Sequence, residues 1–328
     1  MKQTMRLQAL LCLILFAAPV GAAQDIMFWN VENYFENGPH FRDKTRGIAK
    51  TILALADSSG SPPSVVGLCE VENEECMKAL VRNPALRKYG YRYVHYDSPD
   101  HRGIDCALLW RSGDGSPRGV CPGLGRLRAS ATVPIRDTSG VVLPTRSLLV
   151  VEFDSLTVVV CHLPSKRGGS SEASRRRILA LQVLSSLCDS LFSSDSGGFY
   201  PHFPADSPIF SSSGGKSPLK PAWSRAVVVV GDFNDTRTAF SDSVMSPMRE
   251  LPADSGTIKF QGEWEQIDRA FVSPGLEATL RVAAPPFLQE PDKKYGGVKP
   301  RRTFSGPRYL GGLSDHYPII LSFGRRRR

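Results

Sequence analysis

The stretch Val227-Val-Val-Val-Gly-Asp-Phe-Asn-Asp235 sets the architecture. Four β-branched residues in a row fit a strand buried on both faces, where no polar alternation is needed. Gly231 reads as a sharp exit from that strand. Asp232 and Asn234 are two apart, so on an extended chain both side chains project to one side. A carboxylate and an amide at the open end of a buried strand suit a metal-phosphate site.

The same pattern recurs outward from this stretch. Pro63-Ser-Val-Val-Gly-Leu-Cys-Glu70 stops at a carboxylate. Leu156-Thr-Val-Val-Val-Cys-His162 stops at an imidazole, and Asp25-Ile-Met-Phe-Trp-Asn30 stops at an amide with Glu32 two residues on. Asp268 opens Arg269-Ala-Phe-Val272, and Asp315-His316 precede Tyr317-Pro-Ile-Ile-Leu321. A lone Asp beside a strand is usually a turn residue. Six apolar runs that each carry a metal- or phosphate-competent residue at one end point to a shared site.

Between these runs, helical spacing of apolar residues predicts helices over 45–56, 74–81 and 171–191. Tyr91 to His95 and Cys106 to Trp110 read as paired strands, and 127–134 and 147–153 continue an antiparallel series into the His162 strand. The segment 190–224 is rich in Ser, Gly and Pro and reads as an inserted surface loop, because the strand pattern resumes directly after it. Strands with helices at the flanks imply packed sheets covered by helices.

The length of 328 residues allows one large domain or two modest ones. The net charge of +9 is concentrated at the ends: Lys2, Arg6 and Arg325 to Arg328 carry six of the excess charges, leaving a body near +3. The basic 325–328 tail reads as a solubilising end that also attracts anionic surfaces. Residues 1–23 read as a secretory signal: Lys2 and Arg6, the apolar Leu7 to Val20, then Gly21-Ala-Ala23 before Gln24. An acylated Cys12 is the weaker reading, since Leu11 replaces the small residue expected before it. The expectation is an exported protein, periplasmic or extracellular, with its domain over 24–324. Six cysteines remain after cleavage, none in zinc-binding spacing, and export permits disulfides without choosing among pairings. Cys69 and Cys161 should face away from Glu70 and His162, into the core.

The collected groups are Asn30, Glu32, Glu70, His162, Asp232, Asn234, Asp268, Asp315 and His316. Hard oxygen donors select Mg²⁺, then Mn²⁺ or Ca²⁺, over softer metals. Two histidines beside them suit proton transfer or hydrogen bonding to a phosphoryl oxygen. The implied reaction is metal-assisted hydrolysis of a phosphate ester.

Trp29-Asn-Val-Glu-Asn33, Gly231-Asp-Phe-Asn234 and Ser314-Asp-His316, in this order, resemble the endonuclease/exonuclease/phosphatase superfamily over nearly the whole chain after residue 24. The likeness implies an α+β fold, a four-layer α/β/β/α sandwich of two mainly antiparallel mixed sheets flanked by helices. It also implies roles. Glu70 resembles the principal metal ligand, with Asn30 and Glu32 beside it and Asp315 as a further metal-side carboxylate. Asp232 resembles the group that activates the attacking water, and Asn234 the amide on the scissile phosphate. His316 resembles a phosphate-contacting histidine held in tautomer by Asp268, and His162 a histidine near the leaving group. No acidic partner for His162 is assigned.

Arg102, in Arg102-Gly-Ile-Asp105, reads as a phosphate clamp or as half of a turn-stabilising pair with Asp105. Ser165-Lys-Arg-Gly-Gly169 and Lys299-Pro-Arg-Arg-Thr303 read as basic loops on one rim. Nucleic acid is the first expected partner and a phospholipid or phosphorylated small molecule the second; no stable protein partner is implied.

Overall fold

The computed structural model describes residues 24–112, 120–165, 171–192 and 226–323. The 1–23 segment, nearly all of the 190–224 insert, Lys166 to Gly169 and the 325–328 tail lie outside them.

Two sheets form the centre. In the first, strands Ala278–Val282, Ile319–Phe323, Gln24–Tyr34, Val65–Val71, Asp105–Arg111 and Tyr91–His95 lie side by side in that order. In the second the order is Arg249–Glu250, Asp268–Val272, Ala226–Asp232, Leu156–His162, Leu148–Phe153, Gly125–Val133 and Val120–Cys121. The apolar runs are continuous because both faces of each sheet are covered. Phe28, Val158, Val160, Val228 and Val230 point into the space between the sheets. Their neighbours Met27 and Trp29 pack outward with helices Phe41–Ala54 and Glu74–Arg82. Val227 and Val229 pack outward against Leu181, Leu184 and Leu187 of helix Ser171–Phe192. The result is the α/β/β/α sandwich expected from the sequence. Each such apolar side chain contributes roughly 1.5–3 kcal/mol on burial, which offsets the cost of the charged groups buried at one edge.

Pairing direction explains why the polar endings meet. Each sheet is mostly antiparallel but has one parallel pair: Gln24–Tyr34 with Val65–Val71, and Leu156–His162 with Ala226–Asp232. Parallel partners end at the same edge. Asn30 is therefore level with Cys69, and His162 with Asp232. Asp268 begins an antiparallel strand on the other side and also lies opposite Asp232.

Gly231 is not a turn residue. It lies within the strand, opposite Cys161, and a Cβ there would come within 2.2 Å of the Cys161 sulfur and 2.3 Å of its carbonyl oxygen. Glycine is needed for close approach of two backbones. A Gly231→Ala substitution should cost roughly 1–3 kcal/mol of overpacking, seen as a lower denaturant midpoint with unchanged slope.

The six described cysteines are all buried and unpaired. Cys69 faces the space between the sheets, whereas Cys161 faces the outer helix layer. Burial holds both thiols well above their usual range, so they act as small apolar groups.

Candidate active site

The site opens where the two sheets part. Asp232 is its centre, 1% exposed. The Asn30 amide donates to Asp232 Oδ2 at 3.0 Å, and the Asn234 backbone N–H donates to Oδ1 at 2.8 Å. His162 Nε2 lies 3.5 Å from Oδ2, and His316 Nε2 lies 4.0 Å from the same oxygen. His316 Nδ1 is 2.8 Å from Asp268 Oδ2, the contact that fixes its ring. Ser314 ties the last loop to the first strand, its hydroxyl donating to Asn30 O at 2.6 Å and accepting from His316 N. Trp29 Nε1 closes the same junction by donating to His316 O.

The acidic group next to this centre is held by local backbone irregularity. The pairing between Gln24–Tyr34 and Val65–Val71 shifts register between Asn30 and Tyr34. Glu32, Asn33, Glu70 and Asn234 all take left-handed conformations, with φ of 45°, 56°, 63° and 49°. Side chains rarely adopt this region without compensation, and four such residues at one edge mark a site built against local preference. The chain leaves the strand after Asp232, and Asn234 follows in a bend. Its amide nitrogen donates to Leu163 O at 2.9 Å.

Glu70 Oε2 accepts from Asn33 N at 2.9 Å. Glu32 is fully engaged by the protein: Oε2 accepts from Thr303 N at 2.6 Å, and Oε1 lies 3.2 Å from Arg302 Nη2. The same Arg302 nitrogen is 2.9 Å from Asp315 Oδ2. Asp315 Oδ1 is 3.9 Å from His316 Nε2, which joins this acidic group to the Asp232 centre. Arg102 is half exposed and turns towards Asp100, 3.7 Å away, while Asp105 accepts from Ser98 and contacts His95. The Arg102–Asp105 pairing is therefore not formed.

Charge states follow from these surroundings. Burial pushes the Asp232 carboxyl up to about 7, with Asp268 adding to the rise and His316 and the two amide donors opposing it. Burial disfavours charge on His316, but Asp268, Asp232 and Asp315 outweigh it and hold the imidazole well above its ordinary value. His162 is held well below that value by burial, with Arg146, Arg102 and His316 adding to the effect. Near neutral pH the site thus contains a charged His316, a neutral His162 and an Asp232 that titrates. His162 Nδ1 has no hydrogen-bond partner, in keeping with the missing acidic partner.

A divalent cation fits this donor set. Ligand atoms of Asp232, Asp268 and His316 lie within 4.8 Å of one another, a cluster that takes a cation only with His316 deprotonated, and the buried Asp268 Oδ1 has no hydrogen-bond partner. Beside them stand the carboxylates of Glu32, Glu70 and Asp315, hard oxygen donors suited to Mg²⁺, Mn²⁺ or Ca²⁺.

Three cations at the site were not assigned roles from the sequence. Arg302 was read only as part of a basic loop. Lys44 is buried in helix Phe41–Ala54, where it lines up with Ile48 and Ile52 at helical spacing; a lysine in an apolar stripe was the available signal. Arg146, also buried, donates to Leu163 O at 2.6 Å and pairs with Asp100 at 3.1 Å.

These features define a phosphoesterase of the sandwich type. A model of the endonuclease/exonuclease/phosphatase family matches residues 27–200 and 216–325, and the chain belongs to that family. It is accordingly a metal-dependent phosphoric ester hydrolase. Solved structures share its fold. A family member from Bacteroides thetaiotaomicron is 13% identical with a TM-score of 0.56, covering 92% of this chain and 98% of its own. A mannosyl-6-phosphatase from the same organism gives 13%, 0.54, 91% and 98%. D. rerio TDP2, solved with a single-strand DNA product, gives 17%, 0.53, 92% and 99%. No curated protein sequence matches the chain.

Proposed function

We propose that the chain hydrolyses nucleic-acid phosphodiester bonds by in-line attack of water. The observation that carries this reading is the set of groups converging on Asp232: Asn30, His162 and His316, each from a different segment, with the Asn234 N–H from the bend that follows Asp232. Asp232, fixed by Asn30 and Asn234, takes the proton of the attacking water. The His316 imidazolium, oriented by Asp268, faces the phosphoryl oxygens where negative charge grows. The neutral His162 stands at the leaving-group side, and Arg102 lies at the rim as a phosphate clamp. Glu70 is the principal ligand of a Mg²⁺ or Mn²⁺ ion, with Asp315 beside it. Such an ion, when bound, supplies Lewis-acid stabilisation of the phosphoryl group.

The rim supports a polymeric substrate. Of the seven exposed large apolar side chains among the described residues, Phe260, Trp264, Tyr295 and Val298 fall on two small hairpins. These are Ile258–Phe260 with Glu263–Glu265, and Gln289–Pro291 with Val298–Pro300. Lys259 joins them through Gly296 O at 2.6 Å and Asp292 at 3.1 Å, and Tyr295 lies over Gly262. Trp264 stacks on Tyr317, the residue after His316, with ring centroids 5.6 Å apart. Exposed Lys293, Lys294 and Arg301 surround this platform. Aromatic faces among basic side chains suit unpaired bases, each stack being worth about 1–3 kcal/mol. Replacing Phe260 and Tyr295 together by Ala should raise KM for a single-stranded oligonucleotide roughly tenfold or more. Hydrolysis of bis-p-nitrophenyl phosphate should change little.

Phosphomonoester or lipid phosphodiester hydrolysis is the competing reading, the former favoured by the likeness to the mannosyl-6-phosphatase fold. A panel of single- and double-stranded DNA, RNA, sphingomyelin and sugar phosphates, with Mg²⁺ or Mn²⁺ and then chelator, decides between them. Turnover confined to sugar phosphates or sphingomyelin would refute the nuclease reading. We also propose export, on the strength of the 1–23 pattern; a secreted or periplasmic product beginning at Gln24 supports it, and an intact Met1 product in the cytosol refutes it.

A further inference from the structure

A second cluster of ligating side chains lies outside the site described above. His95, Asp97 and Asp105 each bring one ligand atom to within 4.8 Å of the others, and they share no residue with the Asp232 group. Strand pairing makes the cluster. His95 is level with Ala107, and that register, carried two residues on, sets Asp97 opposite Asp105. Cys106 faces the space between the sheets, so Asp105 shares the outer face with Ala107 and Leu109. Helix Glu74–Arg82 covers that face, whereas the candidate active site lies where the sheets part.

The atomic arrangement points to an ion rather than to a plain ion pair. Ser98 occupies one Asp105 oxygen, donating to Oδ1 from its N–H at 2.9 Å and its hydroxyl at 2.5 Å. Oδ2 lies 3.2 Å from His95 Nε2, and the two side chains are 2% and 3% exposed. At that distance a ring N–H aimed at the oxygen would form a hydrogen bond. Nε2 nevertheless has no hydrogen-bond partner among the described residues. The two atoms stand side by side, as two ligands of one ion do. Ligands bonded at about 2.0–2.1 Å to a tetrahedral or octahedral ion lie roughly 2.9–3.4 Å apart, which brackets this spacing. A buried nitrogen left unpaired is costly, and a metal would satisfy it. One imidazole with two carboxylates suits Zn²⁺, whereas Mg²⁺ and Ca²⁺ favour an all-oxygen shell.

We infer that His95, Asp97 and Asp105 form a second metal site, which takes Zn²⁺ and staples the two ends of the loop between Asp97 and Asp105. Three protein ligands leave a fourth position to water, and Asp97 is exposed to supply it. The loop carries Asp100, which pairs with the buried Arg146 at 3.1 Å, and Arg102 at the rim. Arg146 in turn donates to Leu163 O, the carbonyl next to His162. The ion thus steadies one wall of the candidate active site without contact with a reacting phosphate. Its binding is independent of the nuclease reading.

The test is calorimetric titration of the metal-stripped full chain with Zn²⁺, alongside Glu70→Gln, His95→Asn and Asp97→Asn. Thermal melts in chelator establish which variants are folded. Asp97 is exposed, so its variant keeps the test decisive if His95→Asn does not fold. Glu70→Gln should retain one Zn²⁺ equivalent that His95→Asn loses. Asp97→Asn should weaken that equivalent by roughly tenfold to a hundredfold, since even residues one step behind a ligand cost this much. Hydrogen exchange gives a second readout. Zn²⁺ should slow exchange across residues 98–104 in Glu70→Gln and leave it unchanged in His95→Asn. A wild type that takes up no Zn²⁺ would overturn the inference, as would full-strength binding in both His95→Asn and Asp97→Asn. Binding abolished by Glu70→Gln alone would overturn it too, while leaving the proposed metal role of Glu70 intact.

Discussion

Asp232→Asn should lower kcat by about 10³- to 10⁴-fold, near the upper end of what loss of a positioned general base costs. The substitution keeps the shape and one hydrogen-bonding oxygen but removes the group that accepts the proton. Its new N–H₂ must face either the Asn30 amide or the Asn234 N–H, both donors to Asp232, so a loss of about 1–3 kcal/mol is expected at pH 5 without unfolding. Asp232 is buried, and burial pushes its carboxyl from 3.8 to about 7. In the metal-free protein the folded state therefore holds a proton that the unfolded chain has already released between those values. Stability contributed by this group falls as pH rises through that window. The Asp232→Asn variant lacks that penalty, so its melting temperature relative to wild type should increase from pH 5 to pH 8 in chelator. Protonated Asp232 cannot accept the water proton, so the wild-type rate has an acid limb. A bound divalent ion favours the ionised carboxylate, so that limb should lie below the metal-free midpoint. His316, held well above its ordinary value, and His162, held well below it, add no limb in that range. A variant of near-normal rate, or an inactive variant that is also unfolded, would contradict this assignment.

His316→Gln should cost about 10²- to 10³-fold in kcat, the usual scale for losing one preorganised donor to developing charge. KM should move far less, because the imidazolium is proposed to act mainly on charge that appears during attack. The positioning role of Asp268 predicts a smaller but related loss in Asp268→Asn. That variant keeps a partner at 2.8 Å for His316 Nδ1 but removes the negative charge that stabilises the imidazolium. Its pH profile should gain a limb on the alkaline side as His316 loses its proton nearer neutrality. A purely structural Asp268 would lower stability and leave the profile unchanged.

The central strands were legible because both their faces are covered, so valine runs such as Val227 to Val230 need no alternation, and their polar endings stand out. The meeting of those endings was also legible in outline, because parallel pairs end at a common edge. What the sequence concealed has a physical cause in each case. Glu32, Asn33, Glu70 and Asn234 are left-handed without being glycine, and for the two glutamates the residue type gives no sign of it. Gly231 looked like a turn, whereas its missing side chain makes room for Cys161. Lys44 and Arg302 resemble ordinary helix and loop cations until the fold brings them to Glu32, 12 and 270 positions away along the chain.

The central claim is that groups from residue 30 to residue 316 assemble around a divalent ion at Glu70. Anomalous diffraction from Mn²⁺-soaked crystals tests it most directly. A peak in contact with the Glu70 carboxylate, on the side facing Asp232, is the expected result. A peak only at the separate His95, Asp97 and Asp105 cluster, or none within reach of Glu70, would contradict the account.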